Sequence, residues 1–290
     1  MRIVKLLGGL GNQMFQFALY EALRKRYPEE RILLDLHCFR GYGKHRGFEL
    51  DKVFGVTFEE ASLGEIARLA YPYPSYQLWR IGSRILPVRQ SMLKEKADFT
   101  IEPEALTRKG DTYYDGYWQH EEYFKDIRKD LLALYRFPDF KEERNRELAK
   151  QLSATSSCAI HIRRGDYLTD PLRKGTTDTN YPEQAITRMK EGADPQLWCV
   201  FSDDMIWAKG HLGQLLPPDR TVFVDWNQEE ESFNDMHLMT LCQHHIIANS
   251  SFSWWGAWLC NREGQTVMAP KQWMNMPNVC SPVPKDWNVI

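Results

Sequence analysis

The stretch "RIVKLLGGLGNQMFQFALYEALRKR", residues 2–26, decides how the chain is read. A short run of Ile, Val and Leu gives way to glycines, then to strong helix formers ending in basic residues. That is the pattern of strand, turn and helix, with the strand predicted at 2–7 and the helix at 12–26. A dinucleotide-binding fingerprint is G-x-G-x-x-G/A followed by an acid about 20 residues on. Gly9 and Gly11 supply the first two glycines, and Asp35 roughly supplies the acid. The third position is Met14, whose bulk hinders close helix–strand packing. The turn alone leaves an NAD-dependent oxidoreductase open as an alternative.

Working outward, the strand–helix alternation continues. In the first half, strands are predicted at 31–36 and 111–118 and helices at 121–136 and 141–152. In the second half, strands are predicted at 157–162, 197–202, 221–226, 244–249 and 266–270. Helices are predicted there at 182–191, 204–212, 230–243 and 253–261. Such alternation specifies βαβ units and parallel sheets. A seam near 138–154 suggests two domains, 1–153 and 154–290. Length (290 residues), 43% hydrophobic and 26% charged content describe an ordinary globular chain. A net charge of −2 gives no reason to expect nucleic acid as a partner. The six cysteines contain no CxxC pair, so neither a redox motif nor a zinc knuckle is present, and a reducing, cytoplasmic compartment is expected. No secretory leader and no apolar run of membrane-spanning length is visible.

In the second half the polar chemistry crowds one end of each strand. "CAIHI" is followed by Arg163, Arg164, Gly165 and Asp166, and "LWCVF" by Ser202, Asp203 and Asp204. "HHIIA" is followed by Asn249, Ser250 and Ser251. Ligands of open parallel sheets bind at the carboxyl ends of the strands. A guanidinium pair leaving a buried strand suits phosphate oxygens through charge-assisted forks. "NSSFSWWGAWL" (249–259) reads as strand, serine-rich turn and helix, a second anion-binding device. Each has a plainer reading: salt bridges from the arginines to Asp166 or Asp203, and simple N-capping by the serines. Two such devices on adjacent strand ends favour a diphosphate. With arginines to supply positive charge, a metal on Asp203–Asp204 is not expected. His244 and His245 point to opposite faces of a strand and make a poor ligand pair, and Trp254, Trp255 and Trp258 read as core.

Together, "HIRRGDY" (161–167), "FSDD" (201–204), "NSSFSWWGAWL" and "GGLGNQMFQ" (8–16) resemble the α-1,2-fucosyltransferase family, glycosyltransferase family 11. The resemblance runs over essentially the whole chain. It implies an α/β fold of two Rossmann-like domains facing a cleft (GT-B-like). The first domain would be the acceptor side and the second would bind GDP-fucose. It implies an inverting, metal-independent transfer of fucose to the 2-hydroxyl of a terminal β-galactoside in a cell-surface glycan. No cofactor is needed, because GDP-fucose is a substrate.

By the same resemblance, Arg163 grips the donor diphosphate and His161 and Arg164 line its site. Asp203 also belongs to the donor-binding set, and Ser250, Ser251 or Ser253 places a hydroxyl near the phosphate. Asp235 meets the nucleoside, and Gly9, Gly11 and Asn12 form the loop beside the sugar. Asp166 is the expected catalytic partner of Arg163, either as general base or as a salt bridge orienting Arg164. Bacterial relatives often carry "HNGFEL" where this chain reads "HRGFEL" with Arg46, so acceptor choice does not transfer from them. The proline-rich, then basic and aromatic stretch 71–96 has two readings: a helical insertion packed on the first domain, or a peripheral contact with the inner membrane or a lipid-linked glycan acceptor. A fucosyltransferase of other linkage and a non-catalytic sugar-nucleotide binder are the remaining alternatives.

Overall fold

The computed structural model describes residues 1–176, 180–277 and 280–290. They form two compact units, Met1–Pro138 and Asp139–Ile290.

The first unit is built on a four-stranded parallel sheet. Its strands are β1 (Arg2–Lys5), β2 (Ile32–Asp35), β3 (Met92–Lys94) and β4 (Thr112–Asp115), in the order β2-β1-β4-β3. Helix α1 (Leu10–Arg26) connects β1 to β2. Gly8, at φ +100°, turns the chain sharply, Gly9 stands at the N-cap, and Arg24, Lys25 and Arg26 meet the negative end of the helix dipole. The short helices α2 (Leu50–Phe54) and α3 (Leu63–Leu69) follow β2. Ile66 and Leu69 of α3 pack with Ile3, Leu33 and Tyr113 on one sheet face. Helix α4 (Tyr76–Ile85) lies within the stretch predicted as an insertion. The predicted strand 111–118 stops at Asp115, because Trp118 turns the chain at φ 56°. The predicted helix 121–136 resolves into two 3₁₀ turns and then α5 (Arg128–Leu134). The break falls at Phe124, whose φ of −146° is not helical.

The second unit begins with α6 (Glu143–Ala154). Leu148 and Leu152 of this helix are buried among Ala159, Phe201, Leu238 and Met239. The helix therefore belongs to the second core, and the division falls at 138/139, ahead of the expected 153/154. After it come β5 (Ser157–Ile162), α7 (Tyr181–Gly192), β6 (Leu197–Ser202), α8 (Met205–Leu212) and β7 (Thr221–Val224). Then follow α9 (Phe233–Leu241), β8 (His244–Ile246), α10 (Ser251–Trp258), β9 (Val267–Ala269) and β10 (Asn288–Val289). All strands are parallel, in the order β10-β9-β8-β5-β6-β7. Counted from β5 this is 3-2-1-4-5-6 read from the β7 edge, the doubly wound order, whose topological switch lies between β5 and β8.

Strand parity separates the two helix layers. Cys158, Ile160 and Ile162 face α7 and α8, packing on Ala185, Met189 and Leu212. Ala159 faces α6 and α9. A sheet covered on both faces needs near-continuous apolar strands, which is what "SCAIHI" and "LWCVFS" provide.

Candidate active site

In the second unit, the loops leaving β5 and β8 meet at the switch point. Arg163 follows β5 directly. Its Nη2 lies 2.8 Å from Asp166 Oδ1, and its Nε lies 3.1 Å from Asp203 Oδ2. The Arg164 backbone N–H donates to Asp203 Oδ1 at 2.8 Å. The Arg164 side chain lies 3.3 Å from Asp204 Oδ2 and over the Trp207 ring at 4.3 Å. Asp204 in turn caps α8 by accepting from Trp207 N–H. The site thus holds two guanidiniums and three carboxylates, each acid engaged by an arginine. Asp166 bonds to Arg163, not to Arg164 as the salt-bridge reading supposed. Gly165 permits this closeness: a Cβ there would stand 2.6 Å from Asp203 Oδ2.

Tyr167 joins the two loops. Its hydroxyl donates to Asn249 O at 3.0 Å, and the Arg163 and Arg173 guanidiniums lie 5.8 and 5.5 Å from its ring centre. Asn249 is buried, and its amide donates to Thr176 Oγ1 and Trp273 O. That geometry leaves no access for the glycosylation that the "NSS" triplet could suggest. Ser250 caps α10, accepting from Phe252 N–H. Ser253 is buried, with its hydroxyl donating to Ala248 and Ser250 carbonyls. Ser250 therefore caps the helix and Ser253 is tied back to the preceding carbonyls, while the N-terminus of α10 lies at the switch point.

His161, next to last in β5, is on the α9/α10 face, 5.8 Å from the Phe252 ring. Its Nδ1 is buried and has no partner among the described residues. Burial, and then the Arg163 charge, push its pKa down to about 3, so it is neutral at working pH. Asp235 sits in the first turn of α9 and accepts from Asn227 Nδ2 at 2.8 Å. Asn227 is itself held by Asn145. Burial pushes the Asp235 carboxyl up to about 7, only partly offset by Asn227. His244 and His245 are buried and bonded locally, to Thr266 N–H and to Met239 O respectively.

The first unit gathers a second polar cluster at the carboxyl ends of its own strands. Gly8 and Gly9 form the turn, Leu10 to Asn12 open α1, and the buried amides of Gln13 and Gln16 organise both. Gln13 donates to Gly8 O and Gly47 O and accepts from Glu49 N–H. Gln16 donates to Gly116 O and accepts from Leu7 N–H. Asn12 accepts from Gln119 Nε2 at 2.7 Å. A Cβ on Gly9 would stand 2.9 Å from the His45 ring, so the "HRGFEL" segment packs directly on the glycine turn. Sequence reasoning missed both glutamines; the signal was two amides three residues apart, set among the apolar residues Met14, Phe15, Phe17 and Leu19.

Asp35 corrects the dinucleotide reading. It is buried and accepts from His37 N–H and from Tyr113 OH at 2.6 Å, so it cannot serve a ribose hydroxyl. Lys5 is buried in an ion pair with Asp115.

The expected site residues therefore fall in two groups. His161, Arg163, Arg164, Asp166, Asp203, Ser250, Ser251, Ser253 and Asp235 belong to the carboxyl edge of the second sheet. Gly9, Gly11 and Asn12 belong to that of the first. Among the described residues no three His, Cys, Asp or Glu side chains form a metal-binding group. No described helix is long and apolar enough to cross a membrane.

The profile of glycosyl transferase family 11 matches residues 93–290. An Escherichia coli "Alpha-1,2-colitosyltransferase" is 33% identical, over 98% of this chain and 97% of its own length. A rabbit (Oryctolagus cuniculus) "Galactoside alpha-(1,2)-fucosyltransferase 2" is 26% identical, over 91% of this chain and 68% of its own. Among solved structures, the NodZ α-1,6-fucosyltransferase soaked with GDP-fucose superposes with a TM-score of 0.50 at 14% identity. That alignment covers 89% of this chain and 91% of NodZ.

Proposed function

The chain belongs to glycosyltransferase family 11, the α-1,2-fucosyltransferase family, and on that premise we propose that it moves L-fucose from GDP-β-L-fucose to the 2-hydroxyl of a terminal β-galactoside, with inversion. The observation that carries this reading is the convergence of Arg163, Arg164 and the α10 N-terminus at the β5/β8 switch point. A glycosyltransferase of this family leaves the oxidoreductase alternative without support.

In the proposed reaction the acceptor oxygen attacks the anomeric carbon as the bond to the β-phosphate breaks, through an oxocarbenium-like state. The electron pair of the breaking bond stays on the phosphate. Arg163 is preorganised for that charge, which is electrostatic catalysis. Asp166, bonded to Arg163, forms the catalytic pair with it by holding the guanidinium. The first unit serves the acceptor, with Gly9, Gly11 and Asn12 beside the sugar, and the second holds the nucleotide, with Asp235 toward the base. In the proposal the Arg163 guanidinium, once turned from Asp166 and Asp203 to the diphosphate, takes the charge-neutralising role that a divalent cation has elsewhere. The free thiols, five of six buried, fit a cytoplasmic setting.

A second reading concerns the donor. Colitose is L-fucose without its 3-hydroxyl, and a relative named for colitosyl transfer shares a third of this sequence. The test is GDP release from GDP-fucose and GDP-colitose, with a panel of β-galactosides, with and without EDTA, and with product linkage read by NMR. Release from GDP-fucose with an α-1,2 product in EDTA is the expected result. A chelator-sensitive reaction or another linkage defeats the proposal, and exclusive use of GDP-colitose transfers it to the second donor.

A further inference from the structure

Helix α4 stands apart from every other helix of the first unit in burying none of its residues. Leu78, Ile81 and Ile85, at i, i+3 and i+7, form one stripe and are 51%, 56% and 74% exposed. Leu86 and Val88 extend it, so five of the eleven large apolar side chains exposed among the described residues fall within 78–88. Scattered exposed apolar residues are ordinary, but a cluster marks a docking surface.

The stripe is not exposed for want of a seat on the protein. On the inner face Tyr76 packs on Tyr42 at 4.7 Å and the Trp79 ring covers the Lys5 ammonium at 4.1 Å. Gln77 donates to Gly41 O at 2.7 Å. The base of the excursion is closed by Tyr71 OH donating to Pro87 O and by Arg89 donating to the Ala67 and Ala70 carbonyls. The helix is therefore held with its apolar stripe outward.

Charge identifies what covers it. Between Glu65 and Glu95 the chain carries Arg68, Arg80, Arg84, Arg89 and Lys94 and no acid, in a protein of net charge −2. Arg84 borders the stripe beside Ile81, and Arg80 lies beyond it on the same side; both are exposed and enter no ion pair among the described residues. An apolar stripe edged by unpaired guanidiniums matches the boundary of an anionic bilayer, which offers acyl chains below and phosphate oxygens at headgroup depth. We propose that α4 seats the protein peripherally on an anionic membrane surface, with Leu78, Ile81 and Ile85 entering the acyl boundary and Arg80 and Arg84 on the headgroups.

The test is co-sedimentation of the full chain with vesicles of phosphatidylcholine alone or with 30% phosphatidylglycerol. Binding is expected to the anionic vesicles only. Arg80→Ser and Arg84→Ser should each weaken it about fivefold, and Ile81→Ser/Ile85→Ser at least tenfold. Melting curves and GDP release on a soluble acceptor should stay at the parent level, because none of these side chains belongs to the candidate site. Equal binding to neutral vesicles, or undiminished binding by the Ile81→Ser/Ile85→Ser variant, overturns the proposal. So does an absence of vesicle binding together with a sedimenting dimer that the same variant dissolves, which would make a second copy the occupant.

Discussion

Replacing Arg163 by alanine separates the chemistry of the site from its stability. In the free protein this side chain is 32% exposed and pairs with Asp166 at 2.8 Å and Asp203 at 3.1 Å. Ion pairs so open to water contribute about 0–1 kcal/mol to folding. A loss of that size moves the melting temperature of a unit this large by about 2–4 °C. In the proposed transfer the same guanidinium faces charge building on the leaving phosphate, where one preorganised donor is worth about 3–4 kcal/mol. Arg163→Ala should therefore keep its fold and lose roughly a hundred- to a thousandfold in kcat. Arg163→Lys should recover little of this, since an ammonium cannot form the planar fork. The assay is steady-state GDP release with a saturating β-galactoside, beside a thermal melt of each variant. If Arg163→Ala turns over within tenfold of the parent while melting normally, the charge-neutralising role is refuted.

Asp166→Asn should lower kcat by about tenfold at most and leave the acidic limb of the pH–rate profile in place, as expected of a residue that only orients Arg163; loss of that limb would make Asp166 the general base. Asp235, pushed up to about 7, is the proposed acceptor of a nucleobase N–H, and its ionised form accepts more strongly than the neutral acid. GDP affinity should therefore weaken as pH falls from 8 to 6, by up to about tenfold per unit below 7, and Asp235→Asn should flatten the profile in a calorimetric titration. Glu95 accepts from Tyr117 and Trp118 N–H, and burial pushes its carboxyl up to about 7 from an ordinary 4.5. A raised value in the fold stabilises below the ordinary pKa, and that contribution is lost as pH rises through 7. Glu95→Gln should therefore gain up to roughly 3 kcal/mol at pH 8 and nothing near pH 4, which urea denaturation at the two pH values will check.

The second sheet was readable because its strands are buried on both faces. "SCAIHI" and "LWCVFS" match β5 and β6 residue for residue, since continuous apolar runs leave no other option. Strands β3 and β10 escaped notice: one is three residues at the edge of the sheet and the other two, too short for any periodicity to show. The crowding of Arg163, Asp203 and Ser250 at one sheet edge was likewise visible, because parallel strands put successive carboxyl ends side by side. Partner choice was not. Whether Asp166 would meet Arg163 or Arg164 depends on the turn at Gly165, and the bonds of Gln13 and Gln16 depend on loops at 47–49 and 116 that are distant in sequence.

The two carboxylates that hold Arg163 are built-in counter-ions for its charge. An anion that pairs with Arg163, as proposed, competes with these tethered acids, and a singly anchored visitor such as inorganic phosphate competes poorly. A nucleotide held at both its base and its two phosphates, as the proposal has it, would displace them more readily. The proposed donor site therefore implies discrimination against small anions by the tethered pair alone.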